Sequence, residues 1–118
     1  MAIISSHILN TMDGTHANGI KASFFKLISP SKKELVFDTF TDEGGRMLKE
    51  INLTEEDCKL KFELVFNTEE YFANQNPSKW KKRTVSEVVV RISLDDPQKK
   101  YHIPIMLSPN NYSIWWSE

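Results

Sequence analysis

The stretch YHIPIMLSPNNYS, residues 101–113, decides the fold class of this chain. Over its first residues every second side chain is large and apolar, and these side chains therefore share one face of a strand: Tyr101, Ile103, Ile105 and Leu107. Such a face has to be buried against another layer of structure. Pro104 lies on the opposite face and has no backbone N–H to donate. We therefore expect this strand to lie at a sheet edge, or to turn position 104 away from its neighbour.

The same kind of short run recurs along the rest of the chain. Clusters of Gly, Pro, Asn and Asp separate the runs, as is typical of turns between strands. The clearest alternation is in residues 60–66, where four apolar side chains share a face: Leu60, Phe62, Leu64 and Phe66. Strands are predicted over residues 3–9, 21–28, 35–41, 46–51, 60–66, 85–94 and 101–108.

One segment has the signature of a helix. It is LTEEDCKL, residues 53–60, where Thr54 is a suitable N-cap and three acidic residues complement the positive end of a helix dipole. About seven strands at regular spacing with one short helix predict an all-β sandwich of two sheets. The pattern leaves open whether the topology is immunoglobulin-like or of another kind.

Length and composition limit the classes of function. The chain has 118 residues, enough for one hydrophobic core and too few for two, so we expect a single domain over residues 1–118. The net charge of −1 gives no argument for nucleic acid or an anionic membrane as partner. The lone Cys58 excludes an internal disulfide. No apolar run has transmembrane length, and the N-terminus lacks signal-peptide features, so we expect a cytoplasmic protein.

Two of the three histidines lie in predicted strands, each on the face with fewer apolar side chains. They are His7 and His102. Arg46 follows a Gly-Gly turn, which can bring backbone close to a ligand. Each of the three, taken alone, is an ordinary surface residue. If they converged they would form a hydrolytic site, because an imidazole can take a proton from water and a guanidinium can hold a developing oxyanion.

Other site chemistries have little support in the sequence. No His-x-His or Cys-x-x-Cys pairing predicts a metal site, and we expect no cofactor. The G-x-S-x-G motif is absent, and Cys58 has no histidine near it in sequence. The basic stretch KWKKR, residues 79–83, is interpreted as a solvated loop, with a nucleic-acid patch as the less favoured interpretation.

Four segments resemble the transthyretin-like family, in its branch of 5-hydroxyisourate hydrolases. SSHILNTMDGTHANGI, residues 5–20, is similar to the family's opening strand and turn, and TFTDEGGR, residues 39–46, to its T-N-x-D-G-R turn. EYFANQ, residues 70–75, is similar to the family's Y-F-A segment. The stretch at residues 101–113 is close to the signature Y-H-[IV]-P-L-L-L-S-P-x-x-Y-S, which is the most specific of the four matches.

This resemblance implies a transthyretin-like sandwich of two four-stranded sheets with one short helix. It also implies a homotetramer, built as a dimer of dimers, whose sites line a channel between dimers. His7, Arg46 and His102 fall on the positions of the hydrolases' catalytic histidine, arginine and histidine. The reaction implied is hydrolytic ring opening of a small heterocycle, 5-hydroxyisourate, in urate breakdown. A histidine-activated water would attack a ring carbonyl while Arg46 stabilises the oxyanion, and which histidine is the base is left open.

The C-terminal tetrapeptide departs from the family, whose hydrolases end in Tyr-Arg-Gly-Ser folded into the site. Here the four places are held by the candidate substrate-pocket residues Trp115, Trp116, Ser117 and Glu118. Trp115 keeps a flat aromatic wall, whereas Trp116 removes a bidentate donor and Glu118 adds a charge beside the terminal carboxylate. In the turns, His16 stands where proline is usual and Gly44 where aspartate is usual.

Three functions are compatible with these features. The first is hydrolysis of 5-hydroxyisourate, favoured by the retained histidines and arginine. The second is an enzyme of the same scaffold acting on another cyclic amide, lactone or related heterocycle, favoured by the changed tail. The third is a non-catalytic protein that binds an aromatic small molecule, which ligand quenching of tryptophan fluorescence without turnover would indicate.

Overall fold

Ten β-strands form two sheets in the computed structural model, which describes residues 1–81 and 84–117. In chain order the strands are β1 (Ala2–Asn10), β2 (Thr15–His16), β3 (Lys21–Ser29), β4 (Lys32–Phe40), β5 (Arg46–Ile51), β6 (Lys61–Asn67), β7 (Glu87–Ser93), β8 (Lys100–His102), β9 (Ile105–Leu107) and β10 (Tyr112–Ile114). The remaining regular elements of these residues are helix α1 (Thr68–Gln75), helix α2 (Pro77–Trp80) and a 3₁₀ turn (Asp57–Lys59).

The two sheets differ in how continuous their strands are. One sheet has four antiparallel strands in the order β4-β3-β6-β7. The other is organised around β1, with β5 and then β2 along one side, β8 and then β9 along the other, and β10 beyond β9. The six segments of this sheet therefore occupy four strand positions. The predicted all-β sandwich of two four-stranded layers is confirmed, with one layer assembled from shorter pieces.

Alternating side chains decide which face of each sheet meets the core. In β1, Ala2, Ile4 and Ile8 are fully buried, whereas His7 on the opposite face is half-buried. The apolar stripe predicted at residues 101–107 is buried too, each of its four members being 4% exposed or less. Burial of one such aliphatic or aromatic side chain stabilises the fold by about 1.5–3 kcal/mol. The polar residues Ser5 and His7 alternate with the buried apolar residues of β1 and therefore lie on the outer face of the β1 sheet.

The strand predicted over residues 101–108 is interrupted at Pro104. Its two halves, β8 and β9, both pair in parallel with β1, and β9 also pairs with β10. The edge position is therefore excluded for β9, which lies between β1 and β10, whereas among the described residues β8 pairs with β1 and otherwise has one isolated bridge, between His102 and Ser117. The ladder breaks instead, because Pro104 cannot donate a hydrogen bond. Its carbonyl accepts from the Trp115 N–H at 3.3 Å, and the Ser6 hydroxyl donates to the Ile103 carbonyl at 2.6 Å.

The short helix predicted at residues 53–60 is a 3₁₀ turn, Asp57–Lys59, and its capping signal is real. The Thr54 hydroxyl accepts from the Asp57 N–H at 3.1 Å, and the Asp57 carboxylate accepts from the Thr54 N–H at 3.1 Å. The resulting 3₁₀ turn ends after three residues, because the alternating apolar run that follows enters β6. Helix α1 lies beyond β6, where the Asn67 side chain accepts from the Glu70 N–H at 3.3 Å as its N-cap.

Two features of the described residues bear on larger partners. None of the helices there has the length and apolar character needed to cross a membrane. In the basic stretch, Lys79 and Trp80 end α2, with the Lys79 ammonium 5.0 Å from the centre of the Trp80 ring. Lys82 and Arg83 of that stretch lie outside the described residues.

Candidate active site

The outer face of the β1 sheet brings His7, Arg46 and His102 together. His7 lies directly opposite Arg46 in the antiparallel β1–β5 pair, and His102 lies opposite Ser5 in the parallel β1–β8 pair. Ser5 and His7 are two residues apart in one strand, so they share a face at a separation of about 7 Å. The three predicted catalytic residues thus occupy neighbouring positions, although the histidines lie at opposite ends of the sequence.

A buried serine holds His102 in place. The Ser5 hydroxyl lies 2.8 Å from Nδ1 of His102, and Ser5 is only 4% exposed. If Nδ1 carries the proton and donates it to Ser5, the Nε2 lone pair is left to accept a proton from water. Burial lowers the pKa of His102, and the positive charges of Lys100, Arg46 and His7 lower it further. The ring is therefore neutral, and able to act as a base, over a wider range of pH than a free histidine.

The turn before β5 is built to present Arg46. One carboxylate oxygen of Asp42 accepts from the backbone N–H groups of Gly44 and Arg46, both at 2.9 Å. The Asp42 N–H in turn donates to the Arg46 carbonyl at 2.9 Å. Gly45 has a positive φ of 70°, which glycine adopts without strain. The turn and the strand that it opens fix the direction in which the arginine leaves the sheet.

A cavity of about 510 Å³ opens on this face. Arg46 and His102 line it together with Ser5, Asp42 and Lys100. This volume lies within the range of small-molecule sites, about 300–1,000 Å³. Its three cations, Arg46, Lys49 and Lys100, outnumber its one carboxylate and favour a carbonyl-rich or anionic heterocycle over a basic one.

His7 has a second histidine as its partner. Nε2 of His7 lies 3.0 Å from Nδ1 of His16, and the ring planes differ by 18°. Burial lowers the pKa of His7, with Arg46 and His16 adding to the effect as neighbouring positive charges. A hydrogen bond with the Gly44 backbone and the charge of Asp42 act in the opposite direction without reversing it.

The aromatic tail is placed apart from the histidines. Trp115 and Trp116, which are 46% and 57% exposed, line a second cavity of about 510 Å³. Its other walls include apolar side chains from both sheets: Val90, Ile92, Leu94, Tyr101, Ile103 and Ile114. The Ser117 N–H donates to the His102 carbonyl at 2.9 Å, so the backbone of the tail pairs with that of β8. Glu118 lies outside the described residues.

Sequence reasoning did not single out Ser5, His16 and Lys100 as site residues. Ser5 could have been found, because alternation puts it on the same face of β1 as His7. His16 and Lys100 could not, because only the strand register brings them beside the site. Within residues 1–81 and 84–117, no group of three or more His, Cys, Asp or Glu side chains is arranged to hold a metal ion.

Comparison with known proteins gives consistent matches over almost the whole chain. The sequence profile of the HIUase/Transthyretin family matches residues 4–116. The 5-hydroxyisourate hydrolase of Halalkalibacterium halodurans is 24% identical over 112 residues, which are 95% of this chain and 94% of that protein. The probable 5-hydroxyisourate hydrolase of Schizosaccharomyces pombe is 30% identical over 115 residues, which cover 95% of this chain and 88% of that protein. The structure of Klebsiella pneumoniae 5-hydroxyisourate hydrolase shares the fold, with a TM-score of 0.79 at 19% identity over 100% of both chains.

Proposed function

Because this chain belongs to the HIUase/transthyretin family, we propose that it is a 5-hydroxyisourate hydrolase, which opens the ring of the product of urate oxidation in purine catabolism. The convergence of His7, Arg46 and His102 on one sheet face carries this proposal. A neutral histidine beside a guanidinium, in a cavity of small-molecule size, provides a base and an oxyanion partner for hydrolysis.

We assign the base role to His102 because its ring is the one held by a buried hydroxyl. His102 takes a proton from water as the water oxygen adds to a ring carbonyl carbon. The carbonyl oxygen becomes negative and is stabilised by Arg46. The ring C–N bond then breaks and its nitrogen takes up the proton that His102 received, so that water has been added across that bond. His7 orients the water or relays this proton to the nitrogen.

The decisive experiment is an ultraviolet assay on 5-hydroxyisourate freshly generated from urate and urate oxidase. The purified protein is expected to accelerate decay of the substrate absorbance in proportion to its concentration, well above the buffer rate. Heat-denatured protein serves as the control. A folded preparation that leaves the decay rate at the buffer value would contradict the proposal and direct the search to other heterocycles.

The pH dependence of turnover follows from the lowered histidine pKa values. The base must be neutral, so kcat/KM is high above its pKa and falls as pH drops through it. Since the pKa of His102 lies below the ordinary value of 6.5, the acidic limb of the kcat/KM profile is expected to have its midpoint below pH 6.5. Arg46→Met, which removes one of the charges that lower this pKa, should move the midpoint upward. A midpoint above 6.5 in the unmodified enzyme would contradict the assignment.

We further propose that the enzyme is a homotetramer, a dimer of dimers. The support is an exposed apolar surface beside the site, where Leu48 is 55% and Met106 41% exposed on the same face as His7. Such a surface is suited to cover by another subunit. Light scattering is expected to give the mass of four chains, and a monomer would contradict this assembly. Cytoplasmic location and organisation as one domain over residues 1–118 stay predictions.

One observation favours a second candidate, an enzyme of the same scaffold with a different heterocyclic substrate. Trp115 and Trp116 line a cavity separate from that of Arg46 and His102. In place of the arginine in the hydrolases' C-terminal tetrapeptide, this chain has the indole of Trp116. Turnover of another cyclic amide or lactone, abolished with the histidine variants, would identify it. Quenching of tryptophan fluorescence by an aromatic compound that is not turned over would instead indicate a binding protein.

A further inference from the structure

His16 is the third histidine on this face, and the mechanism above leaves it without a role. Its strand partner in the β1–β2 pair is Leu9, two residues beyond His7 on the same outward face. Nδ1 of His16 lies 3.0 Å from Nε2 of His7. The side chain of His16 is exposed, so burial does not force this contact.

The geometry identifies the contact as an in-line hydrogen bond. The ring centres are 5.1 Å apart and the planes differ by 18°. The 3.0 Å between the two nitrogens, together with the distance from each ring centre to its own nitrogen, nearly equals the 5.1 Å between the ring centres. The rings therefore meet edge to edge, with one nitrogen pointing at the other. One ring must donate and the other accept, because each neutral imidazole has one N–H and one lone pair.

The backbone around His16 is fixed by hydrogen bonds rather than by packing of the ring. The Ala17 N–H donates to the Ile8 carbonyl at 2.9 Å, and the Ile8 N–H donates to the Gly45 carbonyl at 2.8 Å. Strand β2 and the turn before β5 therefore lie side by side along β1. This arrangement holds His16 against His7 while leaving the outer nitrogen of His16 accessible.

We propose that His16 is a positioning residue for His7, and that the two imidazoles form a hydrogen-bonded pair which holds a single shared proton. This inference rests on the proposed function. When either ring takes up a proton at its outer nitrogen, the imidazolium donates across the 3.0 Å contact to the neutral partner. A second proton is disfavoured, because it would place two positive rings in contact. The pair can thus orient a substrate or pass a proton without gaining a second charge.

The surroundings of the pair act on it from every side. Arg46 on β5 adds positive potential at His7, and Asp42 in the turn before β5 adds negative potential. On β9, which flanks the same end of β1, the described residues 105–107 carry no charge. Burial lowers the pKa of His7, and the neighbouring charges of Arg46 and His16 lower it further.

The test combines substrate-free NMR with kinetics on the intact protein. In the unmodified protein, ring signals of His7 and His16 are expected to report the same two protonation steps, because coupled groups titrate together. His16→Asn keeps an amide near the position of Nδ1 but cannot titrate. In that variant His7 should show one step, with its midpoint raised, because the neighbouring charge of His16 is gone.

Kinetics separate a positioning role from a merely structural one. His16→Ala is expected to lower kcat about tenfold with KM little changed, and His16→Asn should restore most of that loss. Thr15→Ala, in the same short strand, removes a hydroxyl but no imidazole and is the matched control. Independent titration of the two rings, together with an unchanged His7 midpoint in His16→Asn, would overturn the proposal. If the protein does not turn over 5-hydroxyisourate, the proposed function fails while the NMR titration still decides the role of His16.

Discussion

Replacing His102 with alanine is expected to lower kcat for 5-hydroxyisourate by about 10²–10⁴-fold, the usual contribution of a general base. The variant removes the ring that Ser5 orients at 2.8 Å and leaves Arg46 in the cavity. Substrate binding through the arginine is therefore retained, and KM should change much less than kcat. The measurement is the absorbance assay under saturating substrate, with the fold checked by circular dichroism.

The control for His102→Ala is a substitution that removes charge far from the site. Lys59→Ala fits, because Lys59 and Glu56 form an ion pair whose side chains are 71% and 81% exposed, and such pairs contribute little. Its turnover is expected to match that of the unmodified protein. Ser5→Ala should give an intermediate loss, because it releases the ring without removing it. A His102→Ala protein with kcat within twofold of the unmodified enzyme would exclude His102 as the base.

The sequence predicted the strands better than the connections between them. Strand β5 begins and ends where the pattern places it, at Arg46–Ile51, because a Gly-Gly turn precedes it and an Asn follows it. Capping residues occur at two sites, Thr54 and Asn67, and only tertiary context makes the first a 3₁₀ turn and the second an α-helix. The sequence shows that Pro104 has no N–H to donate to a neighbouring strand. Whether this breaks the strand depends on which strands flank it.

The three candidate catalytic residues illustrate what a single sequence contains and what it lacks. Alternation correctly placed His7 and His102 outward, since each follows or precedes a buried apolar residue of its strand. Their convergence depends on β8 pairing in parallel with β1, a register that no local pattern encodes. The resemblance to the family supplied that information for these residues. It did not supply His16, whose place beside His7 is visible only in the folded chain.

Replacing Gly45 with alanine is expected to have the largest effect on stability, a loss of about 3 kcal/mol or more in the free energy of unfolding. Gly45 has φ of 70°, where a side chain is strained even in open space. Here the space is also filled: an added Cβ would overlap the Ile8 carbonyl oxygen and lie 3.0 Å from the Ala17 nitrogen. Both are backbone atoms of the β1–β2 pair, so they cannot move away as a flexible side chain would.

The neighbouring Gly44 provides a matched control for Gly45→Ala. A Cβ added at Gly44 would meet only an Asp42 carboxylate oxygen at 3.4 Å, which is an ordinary contact. Gly44→Ala should therefore change the free energy of unfolding by about 0.5 kcal/mol or less. Urea denaturation of both variants at one protomer concentration measures the difference without interference from assembly.

The consequences of Gly45→Ala should extend from stability to catalysis, because Gly45 lies where the strands of His7, His16 and Arg46 meet. The Gly45 carbonyl accepts from the Ile8 N–H at 2.8 Å, and Ile8 directly follows His7 in β1 and directly precedes the residue that pairs with His16. The next residue after Gly45 is Arg46, the strand partner of His7. A shift forced at position 45 therefore displaces the arginine and the histidine pair together. We expect kcat to fall even under conditions where the variant remains folded. Equal free energies of unfolding for Gly45→Ala and Gly44→Ala would contradict the predicted overlap of an added Cβ with the Ile8 carbonyl.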